Sequence, residues 1–141
     1  MKKILLKNAN LVLENKIEKA TVLVCKDKIE KIFSKDSDLS QITYDELIDL
    51  EGKYLGPAFV DVHVHGADGA DAMDIDEEAL RRISKYLAKE GTANFLVTTL
   101  TSTKAELKNV LEIAGKLQNK EIDGANIFGV HMEGPYFAVE Y

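Results

Sequence analysis

The sequence predicts an α/β chain in which a small β unit precedes a parallel β-α-β-α-β segment. Three observations predict it. Up to about residue 53 the apolar residues come in short runs broken by polar turns. Beyond Tyr54 longer apolar runs alternate with stretches whose apolar residues recur at helical spacing. Each helical stretch is preceded by a residue that can cap it, and strands alternating with helices favour a parallel sheet.

In the first unit, residues 1–53, Ile4-Leu5-Leu6 and Ala9 to Leu13 are apolar, and Glu14-Asn15-Lys16 is a polar turn. Ala20 to Cys25 is strand-like, and Lys26-Asp27-Lys28 turns it into Ile29 to Phe33. Lys35 to Ser40 is a polar loop, and Ile48-Asp49-Leu50 gives one more short strand before Glu51-Gly52-Lys53. Such a unit has little room for a core of its own.

The second unit, residues 54–141, opens with Ala58 to His65, whose near-continuous apolar character predicts a strand buried on both faces. A Gly/Asp-rich loop runs from Gly66 to Asp74, and Asp74 with Glu77 is spaced as a capping box. Leu80, Ile83, Leu87 and Ala88 form a helical stripe that Gly91 terminates. Asn94 to Thr99 is the next strand, and Thr103 with Glu106 offers a second capping box. Leu107, Val110, Leu111, Ala114 and Leu117 form a second stripe, and Gly124 precedes a third strand, Ala125 to His131.

Composition narrows the function. The 141 residues are 45% hydrophobic and 30% charged, a globular balance. Eighteen basic against 24 acidic residues give a net charge of −6, which argues against nucleic-acid or membrane-surface binding. Cys25 is the single cysteine, so no internal disulfide can form, and its strand setting suits a packed or edge thiol. No signal peptide and no run of about 20 apolar residues is read, so a cytoplasmic location is expected.

Chemistry concentrates at strand ends. His63 and His65 stand two apart on a strand and project to one face, a natural half of a metal site. Two solvated or hydrogen-bonded strand-end histidines are the plain alternative. His131 and Glu133 share a face at the end of the third strand, where a carboxylate can complete a metal site or act as a base. Alone, they read better as an interior histidine and the start of a solvated loop. All three histidines and a carboxylate at one end of parallel strands favour the metal reading. Asp68, Asp71, Asp74 and Asp76 are explained mostly by caps and loop solvation, and Thr98 to Thr103 by strand propensity and helix capping. Gly66 and Gly69 lack the spacing of a phosphate fingerprint.

Leu55 to Gly66, LGPAFVDVHVHG, resembles the PGFIDxHxHG signature of the amidohydrolase superfamily. His65 to Asp74 (HGADGADAMD), Gly91 to Ser102 (GTANFLVTTLTS) and Phe128 to Phe137 (FGVHMEGPYF) resemble segments of the N-acetylglucosamine-6-phosphate deacetylases within it. The last, with Glu-Gly-Pro, is the most specific. Ala58, Ala93 and Val97 depart from that pattern, which touches local turn geometry.

The resemblance implies the first three βα-type strands of a TIM-like (β/α)8 metal-dependent hydrolase barrel, preceded by part of a small β-sandwich domain. It implies Glu133 as a metal ligand, and His63 and His65 as ligands for a second metal where one is held. The cofactor would be a divalent metal, Zn or Fe, as one or two ions. The implied partner is a small amino-sugar phosphate, and the implied parent enzyme is a homodimer. Two further histidine ligands and a catalytic base aspartate are expected beyond Tyr141, so no catalytic residue is assigned here and the 141 residues alone are expected to be inactive. Two alternatives stand beside this reading. One is another amidohydrolase, such as a dihydroorotase-like cyclic amidase, against which Glu-Gly-Pro argues. The other is a non-enzymatic α/β module that binds a metal or a partner.

Overall fold

The computed structural model describes residues 1–118 and 120–136. Phe137, the last residue of the FGVHMEGPYF segment, lies outside the described residues. The chain divides into two compact units, Met1–Pro57 and Ala58–Tyr141. The division falls after Pro57 because Tyr54–Leu55 pairs with the first strand of the chain.

The first unit is a five-stranded sheet of β1 (Lys3–Val12), β2 (Ile17–Cys25), β3 (Lys28–Ser34), β4 (Glu46–Asp49) and β5 (Tyr54–Leu55). The order is β3-β2-β1-β4, with β5 also alongside β1. Two hairpins build its antiparallel part, and Lys26, at φ 56°, turns β2 into β3. β4 and β5 run parallel to β1.

The two apolar runs at the start of the sequence belong to one strand. A register shift between Leu6 and Ala9 places Asn8 at φ 57°, a conformation asparagine tolerates better than most residues. Its side-chain amide holds Asp49 on β4 at 2.9 Å. Apolar side chains then form two small clusters, one of Leu5, Leu23 and Phe33 and one of Leu11, Ala20 and Val22.

The second unit holds a three-stranded parallel sheet in the order β10-β9-β6. Its strands are β6 (Phe59–Val64), β9 (Thr92–Thr98) and β10 (Asn126–His131). Helix α1 (Glu77–Lys89) joins β6 to β9, and α2 (Lys104–Leu117) joins β9 to β10. One core cluster contains Leu80, Ile83 and Leu87 of α1, Val110, Ala114 and Leu117 of α2, Phe95 and Val97 of β9, and Ile127 of β10. Both helices therefore cover the same face of the sheet. Ala88 and Leu111, expected in the two stripes, are exposed at their edges.

Ser84, fully buried on α1, donates to the Ala125 carbonyl at 2.7 Å and accepts the Ala125 amide on its own carbonyl at 2.9 Å. A polar residue inside an apolar stripe thus docks α1 against the entry to β10. Gly91 ends α1 at φ +87°, its amide bonded to the Ala88 carbonyl, and its carbonyl accepts the Phe59 amide at 3.0 Å.

Three local expectations are corrected. Strand β6 is not buried on both faces: Phe59, Val60 and Val62 are 69%, 55% and 59% exposed, because among the described residues β6 is an edge strand paired only with β9. The loop after it contains a miniature hairpin, β7 (Gly66–Ala67) with β8 (Ala70–Asp71), turned by Asp68 and Gly69 at positive φ. Asp-Gly is the usual sequence for such a turn. The expected Asp74–Glu77 capping box does not form. A 3₁₀ turn, Ala72–Asp74, intervenes, and Asp71 and Asp74 close a box on it. Asp76 caps α1 by accepting the Glu78 amide. The Thr103–Glu106 box at the start of α2 forms as spaced.

Candidate metal centre

The site lies at the C-terminal end of the parallel sheet, where α/β sheets bind their ligands. His63 and His65 reach it from β6 and Glu133 from just beyond β10. Two irregularities of pairing place them there. The β6–β9 register shifts between Asp61 and Val64, and the Asp61 carboxylate accepts the His63 amide at 3.1 Å within that stretch. The β10–β9 register shifts between Ile127 and Gly129. Ile127 and Val130 can therefore both pack with the helix-side core, leaving Gly129 and His131 to face the other way.

The three expected ligands converge. The Nε2 atoms of His63 and His65 are 3.2 Å apart, and Glu133 Oε2 lies 3.0 Å from the first and 3.2 Å from the second. All three side chains are partly exposed, so the cluster opens to solvent. Two metal–ligand bonds of about 2.1 Å at the tetrahedral angle end about 3.4 Å apart, so these spacings suit a shared cation. Among the described residues His65 Nδ1 is the only buried side-chain polar atom without a hydrogen-bond partner, which leaves Nε2 as the working nitrogen of that ring. Two imidazole nitrogens and a carboxylate oxygen are a donor set that zinc and iron both accept.

His131 joins the cluster as a neighbour. Its ring centroid is 4.6 Å from that of His63, and its Nδ1 is 3.1 Å from the Val62 carbonyl oxygen. A carbonyl can only accept, so this bond puts the hydrogen on Nδ1 and leaves Nε2 as the acceptor.

Two residues that read as ordinary strand threonines touch the same backbone. Thr98 Oγ1 accepts the Val64 amide at 3.0 Å, and Thr99 Oγ1 accepts the Glu133 amide at 3.2 Å. Of the acidic loop, Asp71, Asp74 and Asp76 are used in caps, and none of the four aspartates joins the cluster of His63, His65 and Glu133.

The parallel β-α-β-α-β unit, with two histidines and a glutamate at its sheet end, and the separate β-sheet unit of the chain are similar in fold to the amidohydrolase class of hydrolase, whose members have a TIM-barrel catalytic domain and a β-sandwich. Within that class, the sequence and fold match the N-acetylglucosamine-6-phosphate deacetylases. The chain is 40% identical over 83 residues to the N-acetylglucosamine-6-phosphate deacetylase of Vibrio furnissii, a match to 59% of this chain and 21% of the relative. It is 31% identical over 137 residues to that of Bacillus subtilis, covering 94% of this chain and 34% of the relative. The crystal structure of the Pasteurella multocida N-acetylglucosamine-6-phosphate deacetylase superposes with a TM-score of 0.84 at 26% identity, over 98% of this chain and 36% of that one. The chain thus spans about a third or less of the length of these proteins. No family model matches it. No helix among the described residues is long and apolar enough to cross a membrane.

Proposed function

We propose that this chain forms part of the active site of an enzyme that hydrolyses the acetamide of N-acetylglucosamine 6-phosphate, giving glucosamine 6-phosphate and acetate. The observation that carries the reading is the convergence of His63, His65 and Glu133 within 4.8 Å of one another at the sheet's C-terminal end. The names of the relatives supply the substrate.

His63, His65 and Glu133 would hold a divalent cation, zinc or iron, through Nε2, Nε2 and Oε2. When bound, such a cation supplies Lewis acidity toward an amide carbonyl and acidifies water. Glu133 brings the negative charge that offsets the cation, and the two imidazoles bring nitrogen donors. Partial exposure of all three side chains leaves the cluster open to a substrate approaching over the sheet end.

The test uses the enzyme that carries this chain. Acetate release from N-acetylglucosamine 6-phosphate should stop on exhaustive chelation and return with Zn²⁺ or Fe²⁺. Turnover that survives both chelation and Glu133→Gln would overturn the reading.

A further inference from the structure

We propose that Thr98 and Thr99, consecutive threonines at and just beyond the C-terminal end of the central strand, are positioning residues that hold the two ligand-bearing segments at the spacing the metal needs; this rests on the metal reading above. Both are completely buried. Neither hydroxyl hydrogen-bonds to a ligand side chain among the described residues. Each instead takes a backbone amide beside a ligand. Thr98 Oγ1 receives the Val64 amide, between His63 and His65, and donates its own hydrogen to the Leu96 carbonyl at 3.3 Å. Thr99 Oγ1 receives the amide of Glu133 itself, and the Thr99 amide donates to the His131 carbonyl at 3.1 Å.

The strand ladder does not supply these bonds. On one side its register slips between Asp61 and Val64, and on the other β10 has ended at His131 before Glu133 is reached. At both places the ligand segment leaves regular pairing and a threonine hydroxyl takes over as the fastener. Thr98 closes β9 and Thr99 directly follows it, and their hydroxyls bond to the two edge segments separately, at Val64 and at Glu133. Outer contacts of this kind orient metal ligands, and their loss typically lowers metal affinity about 10–100-fold.

Threonine also suits a buried strand for reasons unrelated to a metal, so the test must read the site. Thr98→Val and Thr99→Val keep the shape and remove the hydroxyl, whereas Thr98→Ser and Thr99→Ser keep the hydroxyl. Thr92→Val, at the far end of the same buried strand, is the control. Alanine variants, small enough to let water reach the freed amide, give a second comparison with serine if a valine variant does not fold. Affinity is read by titrating Zn²⁺ against a competing chelator, and geometry by the visible absorption of the Co²⁺-substituted enzyme.

The valine variants should bind the metal about 10–100-fold more weakly with an altered Co²⁺ spectrum, while the serine variants and the control stay within about threefold of the parent. Valine or alanine variants that match the parent in both measurements would overturn the proposal, as would serine variants that lose as much as valine. An unsubstituted enzyme that takes up no cation would overturn the metal reading itself. Uptake abolished by Glu133→Gln but untouched by the threonine changes would sink only the positioning role.

Discussion

Glu133 Oε2 lies 3.0 Å from His63 Nε2, although the two residues come from opposite edges of a three-stranded sheet. Neighbouring strands stand about 4.8 Å apart, so two strands separated by a third are about 10 Å apart in a flat sheet. The contact therefore needs side chains that lean together over the end of β9. The same inward lean brings the His131 ring to 4.6 Å from that of His63.

Removing the carboxylate charge from this meeting point gives the first prediction. Glu133→Gln should weaken Zn²⁺ binding by more than about 100-fold, beyond the loss typical of an outer contact. The neutral amide no longer offsets the cation. Calorimetric titration at constant pH reads it, and unchanged affinity would remove Glu133 from the ligand set.

The core beneath the site is held by Phe95, which is 1% exposed and packs among α1, α2 and β10. Phe95→Ala should destabilise the fold by about 3–5 kcal/mol, since the neighbours can close only part of the cavity. Urea denaturation followed by far-UV circular dichroism measures this. A loss below about 1 kcal/mol would mean that Phe95 is not central to the core.

Gly91 sits at φ +87°, where a side chain is strained. Gly91→Ala should cost about 1–2 kcal/mol even though the nearest side-chain atom to the new methyl, from Phe59, is 3.7 Å away. Thermal melting tests it: an unchanged midpoint would show that the turn relaxes to negative φ.

Hydrogen bonds from Ser102 and then Thr103 hold the Glu106 carboxyl below the usual glutamate range. A depressed folded pKa stabilises the fold above the unfolded pKa, and that contribution is lost as pH falls through the folded value. NMR titration of the Glu106 side-chain carboxyl should give a midpoint below that of an unstructured glutamate. Ser102→Ala should raise it. A Glu106 midpoint at the ordinary value would remove the cap from the acid stability of α2.

The sequence by itself determined what local interactions decide. Leu80, Ile83 and Leu87 repeat at helical spacing, Thr103 and Glu106 are close enough in the chain to cap one helix, and His63 and His65 share a face because strand side chains alternate. The Asp68-Gly69 hairpin was read only as a Gly/Asp-rich loop, although its turn residues carry the signal. Tertiary structure alone decided the pairing irregularities at Asp61–Val64 and Ile127–Gly129 and the placement of Thr98 and Thr99 against Val64 and Glu133. Those depend on how two edge strands pack against one central strand and two helices. No stretch of chain contains that information alone, because a one-residue slip in register costs little locally and reverses which side chains meet at the site.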